Sequence, residues 1–425
     1  MLDAVAELGR QYFGQARPKQ TGITALDLCH DLMSAPGEAS GTALAREIVF
    51  LYLQMDREQK LAFLRKVSRT FSLDVDKVAI DAAAFAKKRS PEALEALMQG
   101  IEPPRQELFR RINMAPGGTS AIVGMRALML EAGKDDADLK ALAGDLKHLL
   151  SSWFNRGFLQ FEQIDWNSPA SILEKLIDYE AVHEIQGWGD LRRRLAKDRR
   201  CYAFIHPALP EEPLIFVEVA LTKDVAEKIE PLLAAPVNPA AEKTANTAVF
   251  YSISNCQAGL AGISFGNFLI KQVADTLSQE LPAVKAFVTL SPIPGFLRWL
   301  STAGRDVIDR VAGEAVAQCC EPMDWWRDAE GREALSEPLL RLAAHYLVNE
   351  RRGKSPYDPV ARFHLGNGAS VGGINWAADL SSKGLEQSAG IMVNYRYDPG
   401  TIIKNHESFV NDDMIATSAS VRRYL

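Results

Sequence analysis

The stretch from Thr247 to Leu300 constrains the fold of this chain most, because its pattern changes in an order that builds a ligand pocket. Apolar residues from Val249 to Ser254 predict a strand, and a loop with spaced glycines follows it. The pattern from Phe268 to Leu281 then predicts a helix, and Val284 to Leu290 predicts a second strand. Such an order can hold a phosphorylated ligand and present a hydroxyl group to it.

The loop between the first of these strands and the helix contains Gly259, Gly262 and Gly266. Glycine lets the backbone approach a ligand closely, and the free N–H groups of a first helical turn bind anions such as pyrophosphate. The loop is not a Walker A loop, because no Gly-Lys-Ser/Thr sequence follows it, and its spacing is not a clean dinucleotide-binding fingerprint. The glycines therefore predict an anion-binding loop, with an ordinary flexible turn as the alternative.

Ser264 is the first of two serines in this stretch that can supply a reactive hydroxyl. Residues Gly262 to Gly266 match the G-x-S-x-G elbow of serine hydrolases. That elbow requires its serine directly after a strand, whereas Ser264 lies ten residues beyond Ser254. A small serine in a phosphate-binding loop explains the residue better, and a hydrolase elbow stays open as the alternative.

Ser291 is the second candidate, since it follows the second strand and precedes Pro292. Taken alone, a serine before a proline is typical of a helix cap. Its place directly after the glycine loop, the helix and the strand favours a different role, because the side chain can then reach the same crevice. Pro292, Pro294 and Gly295 would fix the turn that carries it.

His364 is the candidate proton-transfer group, because it lies in a predicted loop with glycines at Gly366, Gly368, Gly372 and Gly373. A histidine has a pKa suited to proton transfer near neutral pH. Without further information, an ordinary loop histidine explains the residue better. The chain has no histidine or cysteine pattern with the spacing of metal ligands, so the sequence predicts no metal site.

Size and composition are those of a globular protein. A length of 425 residues is typical of two domains, and 47% apolar with 24% charged residues is ordinary. The net charge of −6 argues against nucleic acid as a partner, and no apolar stretch is long enough to predict a membrane span. Five cysteines without paired spacing, and a beginning unlike a secretory signal, predict a cytoplasmic protein.

A cluster of arginines in the middle of the chain is the most basic local feature. Its members are Arg192, Arg193, Arg194, Arg199 and Arg200. Such a cluster can receive a phosphate, but a helix face in contact with water explains the run better. The sequence therefore predicts that these side chains are solvated.

The distribution of patterns along the chain predicts two different domains. Apolar spacings of three and four residues predict helices at Ala43 to Met55 and at Arg57 to Phe71, and Ser90 with Pro91 predicts a further helix start. No clear strand precedes residue 200, whereas Leu214 to Leu221 reads as a strand. An all-helical region followed by mixed strands and helices predicts an all-α domain joined to an α+β domain.

Several segments resemble one known family, the malonyl-CoA decarboxylases, over most of residues 150 to 400. They are YEAVH (Tyr179 to His183), HPALPEEPLIFVEVALT (His206 to Thr222), FYSIS (Phe250 to Ser254), LSPIPGF (Leu290 to Phe296), INWAAD (Ile374 to Asp379) and MVNYRY (Met392 to Tyr397). The resemblance implies a helical, oligomerising domain at residues 1–158 and a GNAT acetyltransferase-like mixed α/β catalytic domain at residues 159–425. It further implies a homo-oligomer, a tetramer.

The resemblance also implies a reaction and a set of site residues. The reaction converts malonyl-CoA to acetyl-CoA and CO2 through an enolate, with no metal or organic cofactor. Ser291 and His364 match the catalytic serine and histidine of the family, and protonated His364 would then be the acid that delivers the proton. Asn394 and Tyr395 are further candidates around them, although an ordinary structural strand explains both better. The residues that would bind CoA, besides Ser291 and His364, are Ala261, Gly262, Ile263, Ser264, Phe265, Gly266 and Asn267. Members of the family carry an acidic residue where this chain has Ser264, so a role for that acid does not transfer.

Three other functions stay possible for this sequence. A CoA-dependent acetyltransferase would use the same CoA loop together with a site for an amine. A serine hydrolase would use Ser264 with His364. A non-enzymatic CoA-binding or assembly protein would use its helical half as the working surface.

Overall fold

The computed structural model describes residues 24–133, 135–263, 269–303, 305–313 and 329–425. These residues form two compact units, a helical unit and a mixed unit built around one sheet. Within these ranges, no helix has the length and apolar content needed to cross a membrane. The predicted fold class is confirmed in that an all-helical N-terminal region is followed by a mixed α/β domain. The GNAT-like arrangement of that domain stays what the resemblance implies.

The helical unit contains the described residues up to Trp153 together with the segment Gln257–Ile263. Its helices are α1 (Ala25–Ser34), α2 (Glu38–Gln54), α3 (Arg57–Thr70), α4 (Val75–Lys88), α5 (Pro91–Gly100), α6 (Pro104–Asn113), α7 (Gly118–Ala132) and α8 (Ala137–Trp153). The predicted helix start at Ser90 is confirmed, because its hydroxyl accepts the Ala93 N–H at 3.3 Å and Pro91 occupies the first turn.

The mixed unit begins at Phe154 and holds the sheet. Its strands are β1 (Gln160–Ile164), β2 (Arg199–His206), β3 (Leu209–Thr222), β4 (Thr247–Asn255), β5 (Ala286–Thr289), β6 (Ser291–Pro292), β7 (Arg351–Arg352), β8 (Ser355–Pro356), β9 (Ser370–Asn375) and β10 (Met392–Tyr397). Among the described residues, β7 and β8 form a separate pair, and the order of the main sheet is β1-β2-β3-β4-β5-β10-β6, with β9 also paired to β10.

Helices cover this sheet and connect its strands. They are α9 (Ala170–Tyr179), α10 (Trp188–Arg194), α11 (Ile229–Ala234), α12 (Ala241–Thr244), α13 (Leu269–Glu280), α14 (Phe296–Thr302), α15 (Arg305–Ala312), α16 (Ala329–Ala334), α17 (Ser336–Val348), α18 (Pro359–Gly366), α19 (Ser382–Ser388), α20 (Ile402–Asp412) and α21 (Ala419–Arg422). The predicted helix from Phe268 to Leu281 is confirmed as α13 over its described part. This helix is the connection between the parallel strands β4 and β5.

The strand β1 was not predicted, and the expectation that no strand precedes residue 200 is wrong. β1 pairs antiparallel with β2, with Phe161 opposite Phe204. It lies at the edge of the sheet, and Ile164 is its one buried residue. An edge strand of this kind lacks the alternation of apolar and polar residues on which the sequence argument relies.

The sheet opens between β4 and β6, and this opening positions the functional residues. β4 and β5 are paired in parallel as far as Phe250 and Thr289. Beyond that point Ser291 and Pro292 pair with β10 instead, whereas β4 continues to Asn255. Because the two strands pair with different neighbours beyond this point, they diverge directly beside Ser291.

Candidate active site

Ser291 lies at the start of β6, where the chain leaves β5 and joins β10 opposite Val393. The helix-cap interpretation of this serine is wrong, because α14 begins later, at Phe296, and Gly295 is its cap. The Ser291 side chain is buried, with 6% of the residue exposed. Its hydroxyl oxygen lies 3.1 Å from Nε2 of His364, so the two residues that the resemblance implied are in contact.

His364 lies on a helix, α18, and the prediction of a loop around it is wrong. Asp358 caps this helix, since its carboxylate accepts the N–H groups of Val360 and Ala361 at 2.9 and 2.8 Å. Pro359 at the first helical position completes an ordinary start signal. The glycines that suggested a loop mostly follow the helix. The helix therefore holds the imidazole in place, and 2% of the residue is exposed.

The pair extends into a chain of four side chains. Oγ1 of Thr289 lies 2.9 Å from the Ser291 hydroxyl, and the Tyr397 hydroxyl lies 2.8 Å from Nδ1 of His364. Neither Thr289 nor Tyr397, the two ends of this hydrogen-bonded series, was predicted from the sequence. The available signal was the period of two in a strand, which puts Thr289 on the face of Ser291 and Tyr397 on the face of Tyr395.

The four groups can hold their hydrogens in two arrangements. With the proton on Nε2, His364 donates to Ser291, Ser291 donates to Thr289, and Tyr397 donates to Nδ1. With the proton on Nδ1, His364 donates to Tyr397, and Nε2 becomes an acceptor that faces the Ser291 hydroxyl. In both cases Thr289 accepts from Ser291 at 2.9 Å and from the backbone N–H of Tyr395 at 3.0 Å. The Nε2-protonated form therefore satisfies all three bonds at once.

The buried surroundings of His364 favour the neutral imidazole, whereas the acid expected from the sequence is protonated. Burial lowers the pKa of its imidazole to about 3, because the charged form loses its hydration. Burial likewise raises the pKa of the Tyr397 hydroxyl well above its usual value. An anionic carboxylate brought beside the imidazole would raise the pKa of His364 again, since an opposite charge favours the protonated form.

Asn394 and Tyr395, the two further candidates from the sequence, both lie against these side chains or their backbone. The Asn394 amide donates to the carbonyl oxygen of Thr289 at 2.7 Å and to that of Ala226 at 3.0 Å. The Tyr395 ring stacks on His364, with centroids 4.5 Å apart, and its buried hydroxyl has no hydrogen-bond partner among the described residues. Asn394 thus fixes the strand, and Tyr395 fixes the imidazole plane.

The predicted CoA-binding loop is described in part. Ala261, Gly262 and Ile263 belong to the helical unit. Gly262 has a φ of +73°, a backbone conformation that favours glycine. The remaining residues of the prediction, Ser264, Phe265, Gly266 and Asn267, lie outside the described residues. CoA binding by this loop and a hydrolase elbow at Ser264 both stay predictions.

Of the arginine cluster, Arg192 is exposed as predicted, whereas Arg194 and Arg199 are buried, so the prediction of a solvated helix face is wrong for most of the cluster. Arg194 is buried and bonds to the carboxylates of Glu218 at 3.0 Å and Asp190 at 3.2 Å. Arg193 forms a bidentate ion pair with Asp198, in which its two terminal nitrogens donate to the two carboxylate oxygens at 2.8 and 3.0 Å. These cations therefore neutralise buried acids instead of meeting water or a phosphate.

The Thr289 hydroxyl leads to a testable prediction about the orientation of Ser291. Thr289→Val removes the hydrogen bond to Ser291 and keeps the shape, so turnover should fall about tenfold, the equivalent of one hydrogen bond. Thr289→Ser keeps the hydroxyl and should stay within about twofold of the wild type. Steady-state kinetics of both variants, after thermal melts show that they are folded, measure the effect. Wild-type turnover in Thr289→Val would exclude this role.

Two buried histidines predict a loss of stability in mild acid. Burial lowers the pKa of His364 to about 3 and that of His183 to about 4 in the folded state. Below pH 6.5 both histidines are therefore protonated in the unfolded state while they are still neutral in the folded state. Each histidine then destabilises the fold by up to about 1.4 kcal/mol per pH unit as the pH falls. Glu218 acts in the opposite sense, because burial raises the pKa of its carboxyl to about 8.

The net expectation is that the free energy of unfolding falls by up to about 1.4 kcal/mol between pH 6 and pH 5. The two histidines act against the buried carboxyls of Glu218 and Asp358, whose pKa values burial raises. Urea denaturation at a series of pH values measures this slope. His183→Gln, which leaves the serine–histidine pair intact, should flatten it. A slope that is already flat in the wild type would contradict the burial of both imidazoles.

Two family models match the chain from residue 71 onward. The malonyl-CoA decarboxylase N-terminal domain matches residues 71–154, and the malonyl-CoA decarboxylase C-terminal domain matches residues 157–425. The chain belongs to the malonyl-CoA decarboxylase family. The family model of the C-terminal domain covers Ser291, His364 and both ends of the side-chain network around them.

Individual members of the malonyl-CoA decarboxylase family are similar over most of their length. The mitochondrial malonyl-CoA decarboxylases of Anser anser anser and Rattus norvegicus are each 35% identical, over 84% and 85% of this chain and 78% and 81% of their own. The crystal structure of the malonyl-CoA decarboxylase from Rhodopseudomonas palustris is 48% identical, with a TM-score of 0.89 over 94% of this chain and 98% of that one. That from Agrobacterium vitis is 45% identical, with a TM-score of 0.84 over 94% and 99%.

Proposed function

We propose that this protein decarboxylates malonyl-CoA to acetyl-CoA and CO2. The observation that carries the proposal is the buried contact of 3.1 Å between Ser291 and His364 in a member of this family. The pair lies where the sheet opens between β4 and β6, a position from which a hydroxyl can meet an acyl group. The proposed reaction uses no metal or organic cofactor, because the CoA thioester is itself the substrate.

The decarboxylation places three requirements on the active site. When the bond between the carboxylate and the α-carbon breaks, CO2 leaves and the electron pair forms the enolate of the thioester. The site must orient that bond, stabilise the enolate oxygen and deliver one proton to the α-carbon. Burial supports all three, because hydrogen bonds to a developing charge are stronger where water is excluded.

Ser291 and His364 divide this work in the proposed mechanism. Ser291 donates a hydrogen bond to the substrate carboxylate and orients it. That carboxylate raises the pKa of His364, which takes up the proton that the product needs. After CO2 has left, the proton passes from Nε2 to the α-carbon through the Ser291 hydroxyl, which lies directly in front of Nε2. Tyr397 keeps the imidazole oriented from Nδ1 throughout.

The rest of the proposal concerns the CoA moiety and the assembly. The loop from Ala261 to Asn267 binds the phosphates of CoA, in agreement with the anion-binding pattern of its glycines. The helical unit provides the contacts of a homo-oligomer, a tetramer. An acetyltransferase with the same loop is the second candidate, because the resemblance implies a GNAT-like fold for the mixed unit.

The two candidates differ in what they do with a CoA ester. Purified protein given malonyl-CoA should release acetyl-CoA and CO2 in equal amounts, and given acetyl-CoA with a panel of amines it should release no CoA thiol. Acetyl transfer without loss of CO2 from malonyl-CoA would replace the decarboxylase proposal by the acetyltransferase. Binding of CoA with neither reaction would leave a CoA-binding protein.

A further inference from the structure

Arg126 on α7 is a buried arginine whose partners are carbonyl groups. Only 3% of the residue is exposed. Its guanidinium donates to the carbonyl oxygen of Gly259 at 2.5 Å, to that of Ala261 at 2.9 Å and to that of Ala143 at 3.3 Å. Burial lowers the pKa of this guanidinium, and a buried cation is costly unless its donors are used. Two of its three acceptors belong to the first part of the glycine loop.

These bonds determine which way the loop presents its N–H groups. In a trans peptide the carbonyl and the next N–H point in opposite directions. Because the Ala261 carbonyl faces Arg126, the N–H of Gly262 faces away from it. The neighbouring N–H groups of Ala261 and Ile263 are used inside the turn, at 3.1 and 3.0 Å, whereas that of Gly262 has no partner among the described residues. Gly262 is therefore the available donor of this part of the loop.

Two further observations fit an anion at this donor. The ammonium group of Lys147 on α8 lies 3.7 Å from the position that a Cβ on Gly262 would occupy, so a positive charge stands beside the N–H. A Cβ on Gly259 would overlap the carbonyl oxygen of Val123, so this glycine lets the loop pack directly against the backbone of α7. The helical unit thus both shapes this segment and charges its surroundings.

We infer that Arg126 is a positioning residue for CoA: it holds the carbonyls of Gly259 and Ala261 inward so that the Gly262 N–H meets a phosphate of the ligand. The inference rests on the proposed function, since it takes the loop to be the one that binds the CoA phosphates. It assigns the helical unit a part in substrate binding that its packing alone does not require.

Kinetics of Arg126→Gln test this role. Loss of the two charge-assisted hydrogen bonds should raise KM for malonyl-CoA, and Kd for CoA, by about 10- to 100-fold, with kcat within about twofold. Arg126→Lys, which keeps the charge but can reach fewer carbonyls, should give an intermediate KM. Unchanged KM and Kd in folded variants, or a lower kcat at unchanged KM, would overturn the inference.

Arg111→Gln is the matched control, because Arg111 also donates to three carbonyls, those of Leu32, Met33 and Ala35 at the end of α1. It should lower the melting temperature and leave KM unchanged. An equal rise of KM in both variants would mean that only general stability is involved.

Hydrogen–deuterium exchange of the wild-type protein provides a second test that needs no variant. Added CoA should slow exchange in the peptide that contains Gly262, and exchange there that ignores saturating CoA would overturn the inference. The outcome is separable from the proposed function. Protection by CoA without malonyl-CoA turnover would remove the decarboxylase and keep the loop, whereas turnover without protection would do the reverse.

Discussion

Ser291→Ala should lower kcat for malonyl-CoA decarboxylation by about 100- to 10,000-fold, the range of a positioned proton-transfer group. The variant loses the hydrogen bond that orients the carboxylate and the hydroxyl through which the proton leaves Nε2. KM should change much less, because most of the binding contacts of the ligand are made by its CoA part. Stopped assays of acetyl-CoA formation over a wide range of enzyme concentration measure a loss of this size.

The control for this variant is another serine that keeps its neighbourhood intact. The Ser278 hydroxyl bonds to a carbonyl of its own helix, that of Ala274, at 2.8 Å. Ser278→Ala should therefore retain wild-type turnover. If Ser291→Ala retained it as well, the reaction would have to proceed through another hydroxyl, and the Ser264 alternative would regain its place.

His364→Gln should produce a loss of the same order in kcat. Glutamine can donate a hydrogen bond to Ser291, but its amide cannot take up and release a proton near neutral pH. The remaining activity should depend less on pH than that of the wild type, whose proton uptake is coupled to binding of the anionic substrate. A pH profile of kcat for both enzymes, between pH 5.5 and pH 9, makes the comparison.

His345→Gln separates loss of this proton carrier from loss of any histidine. His345 is a half-buried histidine that bonds to Glu350 at 3.2 Å. Its replacement should leave kcat and the pH profile unchanged. A pH profile of His364→Gln that matched the wild type would argue that the proton comes from another group. The next candidate would be the hydroxyl of Tyr395, which has no hydrogen-bond partner among the described residues.

Much of the mixed unit could be predicted from the sequence, because its central strands are apolar runs. The strands at Val249 to Ser254 and Leu214 to Leu221 are found as parts of β4 and β3. The edge strand β1 could not be predicted, since its residues are mainly exposed. The helix of His364 was hidden by the glycines behind it, although Asp358 and Pro359 form a proper start signal.

The two central residues of the candidate site could be predicted from the sequence, but their hydrogen-bond partners and protonation state could not. The resemblance implied Ser291 and His364 as the catalytic residues, and in the structure these two side chains are in contact. Thr289 and Tyr397 were missed, because period-two neighbours acquire meaning only when the strand pairing is known. The neutral state of His364 was also beyond the sequence, since the pKa of an imidazole depends on how completely the fold buries it.

The double variant Ser291→Ala/His364→Gln tests the central claim most directly. If the serine and the histidine act as one unit, kcat of the double variant equals that of the slower single variant within about threefold, because the second change removes nothing further. Losses that multiply would show that the two side chains act independently, and the 3.1 Å contact between them would then carry no catalytic meaning.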